Sequence, residues 1–124
     1  MTTLISALDA AGSGMEAQAT RLRHLAENVA NADTPGYRRK IPVFRMEGDG
    51  VALGPLRLDS RTPPRIHDPG HPLADASGHY TGSTVDLVTE LADAREAQRS
   101  YEANLRVFDQ ARLMTQSLFD LIRR

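Results

Sequence analysis

Asn28-Val-Ala-Asn-Ala-Asp-Thr-Pro-Gly-Tyr37 decides the architecture of this 124-residue chain. Pro35 pushes Thr34 out of the α region and has no backbone N–H to donate. Gly36 suits position i+2 of a type II turn, where φ is positive. Asn31 and Asp33 can bond their own backbone, which helps to unwind a helix just upstream. The stretch predicts that a helix ends here, that the chain turns sharply, and that Tyr37 emerges in an extended segment.

Upstream of the turn, from Thr3 to about Ala32, the pattern is helical. Leu4, Leu8, Ala11, Met15, Gln18, Leu22, Leu25 and Val29 alternate spacings of four and three, a heptad seam with one polar member. Gly12 and Gly14 each weaken such a helix by roughly 1 kcal/mol relative to Ala. They mark a flexible point or a place where another backbone comes close. About 30 residues make a rod of roughly 45 Å, too long to bury its stripe in so short a chain without a long partner helix.

Downstream, from Tyr37 to Gly82, lie six of the seven prolines and most of the glycines, which excludes helix over most of the segment. Ile41–Met46 has strand-type residues, with Pro42 restricting it to an edge or a strand start. Val51–Leu53 and Leu56–Leu58 are short strand candidates separated by Gly54-Pro55, and Arg65–His67 is a further one. Asp68-Pro-Gly-His-Pro72 reads as an ordered turn, because its prolines limit its conformations.

From Ser83 or Thr84, both plausible N-caps, the helical pattern returns and continues to the C-terminus, with Asp86 supplying charge in the first turn. Its stripe is Leu87, Leu91, Ala94, Gln98, Tyr101, Leu105, Phe108, Ala111, Leu118 and Ile122, with a break in the heptad near Phe108–Ala111. Glu90, Asp93, Arg95, Glu96, Arg99, Glu102, Arg106 and Asp109 form the expected solvated face. The predicted fold is mainly α. Long N- and C-terminal helices pair as a coiled coil, and a small irregular β segment lies between them. Residues 1–32 form the first helix, 33–82 the turn and β region, and 83–124 the second helix, packing on the first.

Basic residues number 15 against 16 acidic, so nucleic acid is not an expected partner. With three Phe, three Tyr and no Trp, a large packed core is not expected either. The absence of cysteine removes disulfides and thiolate ligands. No apolar run approaches the ~20 residues that span a bilayer. The first residues show no ordinary secretory signal, which points to the cytoplasm or to export without cleavage.

No nucleophile elbow, phosphate loop or paired carboxylate motif stands in the chain, so the expectation is no enzyme, no catalytic residue, no small-molecule substrate and no cofactor. His67 and His71 bracket Asp68, but the flanking prolines prevent the single helical turn that would align them, and no metal site is expected. Arg38-Arg39-Lys40 reads as a solvated or subunit-contact patch.

The blocks Ser13-Gly-Met-Glu-Ala-Gln18 and Glu27–Tyr37 together resemble the N-terminal signature of the flagellar rod, hook and filament-joining axial proteins. Tyr37-Arg-Arg-Lys40, Asp68-Pro-Gly-His-Pro-Leu-Ala-Asp75, Val85-Asp-Leu87 and Ala97–Asn104 extend the likeness, within that group, toward a proximal rod subunit. The Asp68 block separates it from a short paralogue. Some members carry extra residues in that block, and this chain has the short form.

The resemblance implies a structural subunit of the basal-body rod in the periplasmic space, exported without cleavage through the flagellar type III apparatus. Its terminal helices would pack in a tube around the export channel, with the β domain further out. The implied partners are other rod proteins, neighbouring copies, base and export-gate components, and the distal rod. The paralogous proximal rod protein and a generic soluble coiled-coil adaptor are the competing readings. The expected seam and subunit-interface residues are Leu22, Leu25, Val29, Leu91, Tyr101, Leu105, Phe108 and Leu118. The family turn comprises Ala30, Asn31, Thr34, Pro35, Gly36 and Tyr37.

Overall fold

A computed structural model describes residues 2–124. Helix α1 spans Thr2–Ala30 and helix α2 spans Leu87–Ile122. Between them lie six short strands: β1 (Lys40–Ile41), β2 (Phe44–Glu47), β3 (Gly50–Leu53), β4 (Arg57–Leu58), β5 (Arg65–His67) and β6 (His79–Thr81). No described helix is long and apolar enough to cross a membrane.

The second helix starts later than expected. Asp86, rather than Ser83 or Thr84, is its N-cap, with Oδ1 accepting the Val88 N–H at 3.1 Å. Ser83 and Thr84 are instead buried and bond to the turn region described below.

The two helices lie side by side and run in opposite directions. Residue 14 of α1 faces Asn104, Arg21 Nη2 reaches Glu96 Oε2 at 3.7 Å, and Asn28 Nδ2 reaches Glu90 Oε2 at 3.2 Å. Steps of seven up one helix therefore meet steps of about seven down the other, which keeps one face of each on its partner. That face is lined by small side chains. The buried positions are Ala11, Gly14, Ala17, Leu25 and Asn28 on α1, and Glu90, Ala97 and Ala111 on α2. At Gly14 the Asn104 side chain fills the space a side chain would need, since a Cβ there would stand 2.8 Å from its amide, whereas one on Gly12 would meet nothing within 4 Å. With 36 residues against 29, α2 is the longer helix.

The strands pair two by two, all antiparallel: β1 with β4, β2 with β3, β5 with β6. Pro42 separates β1 from β2, so the expected Ile41–Met46 strand is divided. The β2–β3 hairpin packs on α1 through Ser13, whose Oγ donates to the Ala10 carbonyl and accepts the Val51 N–H at 3.1 Å. β6 is a strand that the sequence pattern does not announce; its register with β5 sets Ile66 opposite Tyr80.

Candidate functional site

Where α1 runs out, the chain satisfies the helix's last carbonyls locally. The Asn31 N–H and Asn31 Nδ2 both donate to the Glu27 carbonyl, at 3.1 and 2.8 Å. Thr34 gives its N–H to the Asn31 carbonyl at 3.0 Å and its hydroxyl to Asn31 Oδ1 at 3.1 Å. The turn Thr34-Pro35-Gly36-Tyr37 then closes with the Tyr37 N–H on the Thr34 carbonyl at 3.1 Å, and Gly36 has φ +75°. Proline followed by a glycine at positive φ is the type II geometry that the sequence predicts.

The turn delivers Tyr37 and Arg39 to a buried polar junction. At its centre is Asn28, with no exposed surface. Its Oδ1 accepts the Tyr37 hydroxyl at 2.9 Å and the Lys40 N–H at 2.8 Å. Its Nδ2 donates to the Lys40 carbonyl at 3.0 Å and to Glu90 Oε2 at 3.2 Å. Both amide protons and both lone pairs are thus used.

Glu90, also without exposed surface, receives Arg39 Nε on Oε1 at 2.6 Å, and Arg39 Nη2 lies 3.7 Å from Asp93. A buried carboxylate left unpaired is costly, so Arg39 and Asn28 together permit Glu90 to sit inside. Burial pushes the Tyr37 phenol above its ordinary 10.0, which keeps it a proton donor to Asn28.

The segment before α2 is tied to the same place. The Gly36 N–H bonds the Gly82 carbonyl at 3.0 Å, the Thr84 N–H bonds the Tyr37 carbonyl at 3.0 Å, and Thr84 Oγ1 accepts the Arg39 N–H at 2.8 Å. The Ser83 hydroxyl donates to the Ala32 carbonyl. Asp59 braces the outside. Its Oδ1 takes the Arg61 N–H at 2.9 Å, its Oδ2 takes Arg61 Nη2 at 2.7 Å, and that guanidinium also reaches the Thr84 carbonyl at 3.3 Å. The hydrogen bonds from Arg61 hold the Asp59 carboxyl down to about 2. Lys40, bonded to Glu27, likewise lowers that carboxyl.

The eight expected seam residues divide. Leu25 is 1% exposed, and Leu22, Tyr101 and Phe108 are half-buried. Val29, Leu91, Leu105 and Leu118 are uncovered within the chain, Leu91 at 57% and Leu105 at 41%. The physical reason is that the inner face of α2 follows Glu90, Ala97, Asn104 and Ala111, one position before Leu91, Gln98, Leu105 and Arg112. Small residues and satisfied polar ones take the inside, and larger apolar residues stand on the flank. Among the turn residues, Asn31 and Tyr37 are half-buried while Ala30, Thr34, Pro35 and Gly36 lie at the surface. The described residues contain no group of three or more side chains suited to a metal ion.

Asn28, Arg39, Thr84 and Glu90 carry the junction, whereas the sequence pattern reads Thr84 as a helix cap, places Arg39 in a solvated or subunit-contact patch and assigns Glu90 to the solvated face. Glu90 is fully buried because it occupies the inner position seven residues before Ala97. A repeat of small and polar residues in steps of seven was the one signal available.

A family model described as flagella basal body rod protein matches residues 8–38, and one described as flagellar basal body rod FlgEFG protein C-terminal matches residues 76–121. A curated protein of Agrobacterium fabrum named flagellar basal-body rod protein FlgC is 43% identical over 99% of this chain and 98% of its own length. Proteins of the same name are 37% identical in Salmonella typhimurium, over 90% of this chain and 92% of theirs, and 33% identical in Aquifex aeolicus, over 97% and 95%.

Proposed function

The chain belongs to the FlgC family of flagellar basal-body rod proteins and is a structural subunit of the rod; we propose that it builds the rod through the helix faces that its own fold leaves uncovered. The names of its relatives favour FlgC over the short paralogue FlgB. Residues 1–32 and 83–124 are the axial part, continued as coiled-coil packing between neighbouring subunits, and residues 33–82 set lateral contacts.

One observation carries this reading. The intramolecular seam is already filled by Leu25, Asn28, Glu90 and several Ala and Gly residues, while Leu87, Leu91, Leu105 and Leu118 stand exposed along α2 in the single chain. Large uncovered apolar surface on a soluble helix marks a partner surface. Contacts that join unlike faces generate helical assemblies rather than closed dimers. The partners are neighbouring copies, other rod proteins, and components of the base, export gate and distal rod. The helices enclose the export channel and carry torque in the periplasmic part of the basal body. The buried junction fixes the angle at which the outer region leaves the axial helices, so strain on one part is passed to the other.

The test is Leu105→Asp, introduced into a strain that lacks the native gene. The variant should be exported at near-normal amounts and give no swimming, because a buried unpaired carboxylate at a subunit contact is strongly unfavourable. Wild-type motility in that strain would contradict the packing role.

A further inference from the structure

The β5–β6 hairpin carries His67, His71 and His79, three of the four histidines in the chain. Its connecting turn is a series of local bonds. The His71 N–H donates to the Asp68 carbonyl at 3.0 Å, the Ala74 N–H to the His71 carbonyl at 3.0 Å, and the Asp75 N–H to the His79 carbonyl at 2.8 Å. One further bond is of a different kind. His71 Nδ1 accepts the Leu73 N–H at 3.1 Å. A backbone N–H is always a donor, so Nδ1 must hold a lone pair and the ring must be neutral, with its proton on Nε2.

The ring is held in that orientation by Tyr80, on which it stacks at 3.8 Å between centroids and 7° between planes. We propose that His71 is a proton-operated clasp. The neutral ring closes the 71–75 turn through the Leu73 N–H, and the imidazolium opens it. Protonation puts a hydrogen on Nδ1 where it faces the hydrogen on the Leu73 nitrogen, so an attraction becomes a repulsion. The stack on Tyr80 persists in both states, and the proton therefore acts on this one contact.

The surrounding charged groups do not substitute for it. Asp75 is engaged by Arg65, by Ser77 and by the His79 N–H, and Asp68 Oδ1 takes the Gly70 N–H at 3.2 Å. His67 and His79 face each other with ring centroids 4.7 Å apart, and the His79 ring nitrogen meets the Ser77 carbonyl and hydroxyl. The bond is present while the ring is neutral and is lost when the ring takes up a proton. Losing one such bond raises the open population of the turn roughly fivefold. Leu73, 63% exposed at the tip, is then presented on a firm surface with the ring neutral and on a loose one with it protonated. This rests on the hairpin alone and stands or falls independently of the rod reading.

The experiment is a ¹H–¹⁵N titration of the full chain from pH 8 to pH 5, observing the Leu73 amide and the ring nitrogens of His71. At pH 8 the ring should carry its proton on Nε2. The Leu73 amide should then shift upfield with the same midpoint as the ring. In His71→Asn the side-chain oxygen can accept the N–H two residues on, as in an Asx turn, and carries no titrating proton. Its Leu73 amide should stay in the closed position throughout, while His71→Phe, which retains the stack alone, should be open at both ends. A wild-type ring with its proton on Nδ1 at pH 8, or a Leu73 amide that titrates equally in His71→Asn, would overturn the proposal.

Discussion

Asn28 is the residue on which the junction turns, because it bonds the Tyr37 hydroxyl, both backbone groups of Lys40, and Glu90. Truncating it leaves a buried N–H, a hydroxyl and part of a carboxylate unpaired, each a desolvation cost rather than a simple lost bond. Asn28→Ala should therefore destabilise the chain by about 3 kcal/mol, against about 1 kcal/mol for Tyr37→Phe, which removes a single bond. Urea unfolding of both variants checks the contrast; equal effects would mean that Asn28 acts only through Tyr37. Asp59 makes a prediction of another sort. Its carboxyl is held at about 2 in the fold against an ordinary 3.8, chiefly by hydrogen bonds from Arg61. A depressed carboxyl contributes stability above its unfolded value and loses it as pH falls through the folded one. Stability should thus decline between about pH 4 and pH 2, with Glu27 and Asp75, also lowered, adding to the slope. In Asp59→Asn the urea midpoint should be lower at neutral pH and should fall less steeply below pH 4.

At the scale of the helices, the glycine pair on α1 separates backbone cost from packing. Gly12 has open space around its missing side chain, whereas Gly14 faces Asn104, whose Nδ2 is also bonded to the Ser100 carbonyl at 3.0 Å. Gly12→Ala should raise stability by up to about 1 kcal/mol through helix propensity alone. Gly14→Leu should lower it by roughly 1–3 kcal/mol, because the added side chain collides with Asn104 and wedges the helices apart there. Thermal melts followed by circular dichroism distinguish the two. Similar shifts for both would place the close approach elsewhere. Helix existence and direction change were legible from periodicity and from Pro35-Gly36. Which flank of α2 faces α1 was not. Two stripes one residue apart, Leu91–Leu105 and Glu90–Asn104, both keep seven-residue spacing. Apolar size favours the first as a core, and close approach of backbones selects the second.

On the whole molecule, a chain whose best-buried apolar residues are Leu25 and a few alanines has little core to spare. Much of its apolar surface lies along the flank and the far end of α2, including Leu113, Phe119 and Ile122. Exposed positions contribute little to the stability of the isolated fold, so Leu105→Asp should change its unfolding free energy by less than ~0.5 kcal/mol. The same change should abolish rod assembly. Joint loss of stability and assembly would instead assign Leu105 to the internal seam.

By itself the sequence determined the two long helices, the turn at Pro35-Gly36 and the Pro/Gly-rich interlude, because each depends on local backbone preference and short-range periodicity. Through blocks spread along most of the chain it also determined the family. Only the tertiary structure decided that Glu90 is inside and Leu91 outside, that Asp86 caps α2, and that Asn28 binds turn and helix together. Those outcomes depend on how closely two helices can approach across a face of Gly and Ala. That distance is set jointly by residues such as Gly14 and Asn104, far apart in the chain, and no local pattern contains it.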